Sequence, residues 1–398
     1  MNALEFFESE LEEMRQKSGY RFLRTRDANG SESPAHALLD GRDVVLFAGN
    51  DYLGLSRHPK VIEAAVASLR EFGTGAGAAQ LISGHTRDHA ELENRIARFM
   101  NTESALIFPS GYQANLAAVS ALAGKGDLVV MDKLNHASLI DACKLSGAEF
   151  RVYPHKNYER LEAILESYPQ TAKKLIVTDA VFSMDGDLTD LEILVRIKKH
   201  YGALLLVDEA HSIGVFGLKG SGLVEEKKLW NEIEVRTGTL SKSVGCQGGF
   251  IASSRKLIDY FINFARPFIF STAIAPHLCR AAKAAIDLVE SEPKLRQKLL
   301  WDTFEVRKEI VKDLHFDVGP SASPIIPLMM GESEKALAFS KALLEEGVFV
   351  PAIRPPAVGP GESRLRLTIS AAHTETDFQK LLLALQKVTK KGSDPLGV

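Results

Sequence analysis

The chain has 398 residues, 45% of them hydrophobic, enough to bury a large core in two or three structural units. Forty-eight basic against 51 acidic side chains leave a net charge of −3 and no basic block suited to tracking phosphates, which argues against nucleic acid as a partner. Glu5, Glu8 and Glu10 stand where a secretory signal would need a basic flank and an apolar stretch, and no apolar run approaches the roughly 20 residues that span a bilayer. The expectation is therefore a cytoplasmic protein with no membrane contact. Cys143, Cys246 and Cys279 are scattered without paired metal-ligand spacing and read as reduced thiols, so no metal site is expected.

Residues 3–18 carry Leu4, Phe7, Leu11 and Met14 at the helical period, with Phe6 beside them, and predict an amphipathic arm that packs on something. From Val44 to Val215 short apolar runs alternate with helical patterns. Ser104 to Phe108, Leu128 to Met131, Lys174 to Thr178 and Leu204 to Val207 read as strands; Asp88 to Met100 and Leu188 to Tyr201 read as helices. Strands separated by helices imply parallel pairing with helices on both faces of one sheet. Past about residue 285, a charged helical stretch leads to strand-like runs at Ile325 to Met329, Phe349 to Val350 and Arg364 to Ile369. Pro351, Pro355, Pro356 and Pro360 mark a rigid loop among them. The reading is an α/β chain with an N-terminal arm over residues 1–45, a large domain over 46–285 with a mostly parallel central sheet, and a smaller C-terminal α/β domain over 286–398.

Leu204 to Val207 runs into Asp208-Glu209-Ala210-His211, and in parallel sheets ligands sit at the carboxyl ends of strands. A carboxylate there can hold a pyridinium nitrogen protonated, because opposite charges favour one another's charged form. Taken alone, the same residues also suit a helix N-cap at Asp208 with a surface histidine. A helicase-type metal site, which shares these letters, requires a phosphate-binding GxxxxGK[ST] that is absent. Thr237 to Gly245 sets Lys242 among glycines and hydroxyls that leave room for a planar ligand and can bond phosphate. A lysine that forms imines near neutral pH must lose its proton readily. By itself Lys242 would read as a solvated charge. Ser110-Gly111-Tyr112 follows the Phe108 strand and opens a helix whose N–H groups suit a phosphate. Asn135-His136-Ala137-Ser138 offers either an imidazole to stack on a ring or a capping histidine. Val181 to Asp187 places Ser183 beyond another strand, as a ligand or as a plain turn.

Four strand ends, each with a polar group, followed by this lysine, resemble the fold-type I pyridoxal 5′-phosphate (PLP) enzymes, and among them the α-oxoamine synthases. Asn50 to Leu55, Gly75 to Gly84, Phe182 to Asp187 and Arg364 to His373 extend the likeness over nearly the whole chain. The resemblance implies that Lys242 carries PLP as a Schiff base and serves as proton-transfer base, Asp208 pairs with the pyridine nitrogen, and His136 stacks on the ring beside the substrate. It implies that His211 and Ser183 lie toward the phenolic oxygen, that Gly111, Tyr112 and Thr239 hold the phosphate or its surroundings, and that Asn50 touches substrate. Thr272 matches a residue donated across a dimer interface, so a homodimer with shared sites is implied. Arg366 matches a residue that binds the amino acid carboxylate, a task suited to a bidentate guanidinium.

The implied reaction is a decarboxylating Claisen condensation of an amino acid with an acyl-CoA. Arg354-Pro355-Pro356 and Arg364 to His373 look most like members that join L-alanine to pimeloyl-CoA in biotin synthesis, and Arg21 matches a substrate-contacting arginine of those members. Two features depart from that pattern. Ala357 stands where such members often carry a threonine, and Asp208 to Ser212 with Ser241 to Gly245 is also similar to the branch that uses serine and palmitoyl-CoA. A glycine acetyltransferase, an aminotransferase and a non-catalytic subunit of the same fold are the remaining alternatives; subunits of the last kind typically lack the lysine.

Overall fold

In the computed structural model, which describes residues 3–16 and 19–392, the chain divides into two compact units. One comprises residues 50–183 and 187–300; the other gathers the segment before residue 50, residues 184–186 and the segment after residue 300.

The first unit is built on a seven-stranded sheet. Its order is Ser104–Phe108, Gly249–Ser253, Val235–Thr239, Leu204–Asp208, Lys174–Asp179, Leu128–Asp132 and Glu149–Tyr153. Gly249–Ser253 runs against both neighbours while the other pairings are parallel, so six carboxyl ends share one edge. The central strands are apolar without alternation because both faces are covered. Val129, Met131, Leu175, Val177 and Leu206 pack beneath the Gly111–Leu122, Ala137–Ser146 and Arg255–Phe264 helices. Their neighbours Leu128, Val130, Ile176, Leu205 and Val207 face the Tyr158–Glu166 and Leu191–Tyr201 helices, as the two-residue period of a strand requires.

Three strands each run one residue past the expected end, and the added residues are Asp132, Asp179 and Asp208. The helix expected from Leu188 begins at Leu191, where the Asp190 carboxylate accepts the Ile193 N–H at 3.0 Å and acts as N-cap. Glu192 in the first turn and Lys198, Lys199 and His200 in the last oppose the helix dipole. Gly202, at φ 63°, then closes the helix in the left-handed conformation.

In the second unit Arg26–Asp27, His36–Leu39, Arg42–Leu46 and Val348–Phe349 form one sheet in that order. Ile325–Gly331, Ser363–Thr368 and Ala352–Ile353 form another. The strand expected at Phe349 therefore lies in a different sheet from its chain neighbours, because Val348 pairs in parallel with Val45. The arm expected over residues 3–18 is a helix from Ala3 to Gln16, with residues 17 and 18 outside the described residues. Leu4, Phe6, Phe7, Leu11 and Met14 remain exposed on it. All three cysteines are free thiols.

Candidate active site

The shared edge of the seven-stranded sheet assembles most of the expected residues within the first unit. Asp208 ends its strand in register with Asp179 on one side, and its neighbour on the other side is Thr237. One Asp208 oxygen accepts the Ala210 backbone N–H at 2.9 Å, and the other accepts the Asn115 amide at 2.7 Å. The same amide nitrogen donates to Ser138 Oγ at 2.8 Å. Ser138 Oγ lies 2.7 Å from His136 Nδ1. His136 is anchored from behind as well, its backbone N–H donating to Asp179 at 2.8 Å. Burial pushes the His136 imidazole below its ordinary pKa, and Lys242 acts in the same direction against Asp208. Asp179 is held well above the usual carboxylate range, chiefly by burial and then by Asp208, with Lys242 opposing. Asp208, Asp179, His136 and Lys242 are thus one electrostatic cluster.

Lys242 lies half-buried just beyond the Val235–Thr239 strand. Ahead of it, Thr239 Oγ1 lies 2.7 Å from Ser241 Oγ and donates to the Gly248 carbonyl at 3.0 Å. The Gly111–Leu122 helix begins against this turn, with Ser110 Oγ accepting the Gln113 N–H at 3.2 Å. A Cβ on Gly111 would stand 3.1 Å from Thr239 Cβ, and one on Gly249 would collide with the Gly111 backbone. Only glycines let the helix start, the lysine turn and the antiparallel strand converge so closely. The first-turn N–H groups at Gly111 and Tyr112 form a positive helix end. Buried oxygens of Thr237, Ser243 and Asn115 have no partner there. A phosphate-bearing pyridine aldehyde fits this donor set: N–H groups and hydroxyls for the phosphate, a carboxylate for the ring nitrogen, an imidazole for the ring face and an amine for the aldehyde. Tyr112 bonds Asp141 and is half exposed at the rim.

Tyr52, fully buried, places its hydroxyl 2.7 Å from His211 Nδ1 and 3.5 Å from Asn50 Oδ1. This joins two expected residues, Asn50 and His211, through one that sequence reading passed over. Ser183 is half-buried beyond Phe182, whose ring meets His155 edge-on at 4.5 Å. His155 bridges Asp132 at 2.9 Å and Asp187 at 3.0 Å. Thr272 is exposed, and its segment is stitched to Ala79 by an isolated antiparallel bridge. His89 donates from Nε2 to the Ile274 carbonyl at 2.8 Å, because its Nδ1 already accepts the Thr86 N–H at 3.2 Å. The aspartate strand, the histidine turn and the lysine turn therefore meet as expected.

Arg366 and Arg21 belong to the second unit. Arg366 is buried in the middle of the Ser363–Thr368 strand and donates to Thr368 Oγ1 at 3.2 Å. Arg364, two residues earlier, is committed to Asp185. Arg21 is exposed and donates to the Pro355 carbonyl at 3.3 Å, beside the cis bond between Pro355 and Pro356. Among the described residues no cluster of metal-ligating side chains occurs, and no helix is long and apolar enough to cross a membrane.

Residues 42–385 match the family described as aminotransferase class I and II. An 8-amino-7-oxononanoate synthase from Geobacter sulfurreducens is 44% identical over 383 residues, 96% of this chain and 97% of the relative. A serine palmitoyltransferase structure from S. paucimobilis with bound PLP-myriocin superposes with a TM-score of 0.92 at 32% identity, covering 99% of this chain and 100% of that one. An 8-amino-7-oxononanoate synthase structure from Francisella tularensis gives 0.76 at 29% identity, covering 88% and 99%. The chain belongs to the class I and II aminotransferase family and, within it, to the α-oxoamine synthases.

Proposed function

We propose that the protein condenses L-alanine with pimeloyl-CoA, releasing CoA and CO2 and forming 8-amino-7-oxononanoate for biotin synthesis, with PLP as its cofactor. The observation that carries the chemistry is the electrostatic cluster of Asp208, His136 and Lys242 on one sheet edge, beside a helix N-terminus that a glycine opens. The acyl and amino acid choice rests on similarity to relatives named for this product.

Bound PLP supplies an electron sink for the carbanion formed at the amino acid Cα. Lys242 anchors the cofactor and moves the proton at Cα. Asp208 holds a proton on the pyridine nitrogen, its two oxygens fixed by Asn115 and Ala210. His136 covers the ring face, while Gly111, Tyr112 and Thr239 bind the phosphate. His211 and Ser183 serve the phenolic oxygen, with Tyr52 orienting His211. Asn50 touches substrate, and Arg366 binds the amino acid carboxylate. Arg21 takes the far carboxylate of the pimeloyl chain. Thr272 reaches the phosphate of a second copy in a homodimer.

A condensation of L-serine with palmitoyl-CoA is the second reading, favoured by the superposition on serine palmitoyltransferase. A CoA-release assay over a matrix of amino acids and acyl thioesters separates the two. Fastest release from pimeloyl-CoA with L-alanine is expected; fastest release from palmitoyl-CoA with L-serine would reassign the substrates. A keto acid formed without CoA release would replace condensation by transamination.

A further inference from the structure

Two buried side chains, Asn115 and Ser138, link Asp208, the acid assigned to the ring nitrogen, to His136, the imidazole assigned to the ring face. Asn115 is 2% exposed and Ser138 0%, so water does not compete for their bonds. The direction of each bond follows from chemistry. Asn115 presents its NH2 to Asp208, since its carbonyl would repel a carboxylate, and the second N–H of the same nitrogen meets Ser138 Oγ. Ser138 Oγ, having accepted there, spends its single proton on His136 Nδ1, 2.7 Å away. The Ser138 backbone N–H, which can only donate, points at the same nitrogen from 3.3 Å. Two donors converge on Nδ1, so Nδ1 carries no proton. The Asn115 carbonyl oxygen is itself buried without a partner, so this residue's bonding at the site lies in its two N–H donors.

We propose that Asn115 is a positioning residue that acts through Ser138 to hold His136 neutral with its proton on Nε2, while orienting the Asp208 carboxylate. The proposal deepens the cofactor site described above and rests on that reading for its consequence, though not for its geometry. Around the imidazole, Asp208 and Asp141 favour its charge, Lys242 opposes it, and Asp179 holds its backbone N–H. Forming the imidazolium would place a proton on Nδ1 against both Ser138 donors. The chain also couples the two residues, because the amide that satisfies Asp208 is the one that sets the Ser138 hydroxyl.

The test is 15N NMR of the holoenzyme labelled at histidine, with the His136 signals assigned by their loss in His136→Asn. The wild-type ring is expected to carry its proton on Nε2 and to titrate below an ordinary histidine. Ser138→Ala should admit the Nδ1–H tautomer and move the midpoint upward. Asn115→Leu, which keeps the branched heavy-atom skeleton and removes both N–H donors, should change the tautomer in the same direction. It should also weaken PLP binding about two- to tenfold, read from the cofactor's absorbance on titration. An Nδ1–H tautomer in the wild type, or an unchanged His136 tautomer in Ser138→Ala, overturns the proposal. So does an Asn115→Leu spectrum that superposes on the wild type. If Asn115→Leu does not fold, the wild-type tautomer and Ser138→Ala still decide. Loss of the cofactor assignment would show separately, as failure of borohydride to fix PLP on Lys242, and would leave the tautomer result standing.

Discussion

Asp179 and Asp208 stand opposite each other at the ends of neighbouring parallel strands, and their surroundings give them different work. Asp208 is met by two donors, Asn115 and Ala210, that favour a carboxylate. Asp179 is fully enclosed, and burial together with the Asp208 charge raises its pKa well above the ordinary value.

Asp208→Asn should therefore retain PLP yet lose turnover by about a hundredfold or more, because an amide cannot stabilise the pyridinium charge while the phosphate contacts persist. Near-normal turnover would contradict the role. Asp179→Asn should fold and still bind PLP, since an amide resembles the protonated acid. The sign of its pH effect is fixed: a folded pKa above the unfolded one means stability falls as pH rises above the ordinary carboxylate value. The variant should lack that component of the decline, measured as thermal midpoint against pH.

His155 should give the opposite dependence. Burial disfavours its charge, but the hydrogen bonds and charges of Asp132 and Asp187 outweigh burial and raise its pKa to about 9. The stability this contributes is fully present below about 6.5, the ordinary histidine value, and is lost as pH rises through about 9. His155→Gln should lower the thermal midpoint by about 2–4 °C at pH 6 and by much less at pH 9.5. Equal losses at both pH values would mean that packing against Phe182, not charge, is what the ring contributes.

Behind the site Arg236 and Glu209, both buried, pair at 3.2 Å. Arg236 also donates to the Ser221 carbonyl at 3.0 Å, and Glu209 accepts the Leu223 and Val224 N–H groups at 2.8 and 3.1 Å. Arg236→Met leaves a buried carboxylate without its cation and should cost about 3–5 kcal/mol in urea unfolding. Glu209 follows Asp208 directly, so the surviving folded fraction should also bind PLP less tightly. A loss below about 1 kcal/mol would show that the helix N–H groups alone suffice for Glu209.

Much of this arrangement is legible in the chain. Buried runs such as Leu204 to Val207 declare themselves by composition, and Asp208, His136 and Lys242 stand out because each lies at or just past the end of a strand. Asn115 and Ser138 were not singled out as functional. Asn115 lies inside an alanine-rich helix, where nothing local says which face meets the sheet, and Ser138 reads as an ordinary first-turn residue. Glu149–Tyr153 is half exposed and charged, so it lacks the apolar signature of its neighbours. The antiparallel Gly249–Ser253 strand begins with a glycine whose purpose is its approach to Gly111, a contact between residues far apart in sequence. Tyr52, in a segment rich in turn residues, gives no local hint that it will orient His211.

The proposed anchor of the cofactor is Lys242. Borohydride reduction of the purified protein, followed by peptide mass mapping, reads it directly. A phosphopyridoxyl group on the peptide containing Lys242 is the predicted result, with no label after Lys242→Ala. A label on any other lysine of the wild-type chain would rule out Lys242 as the anchor.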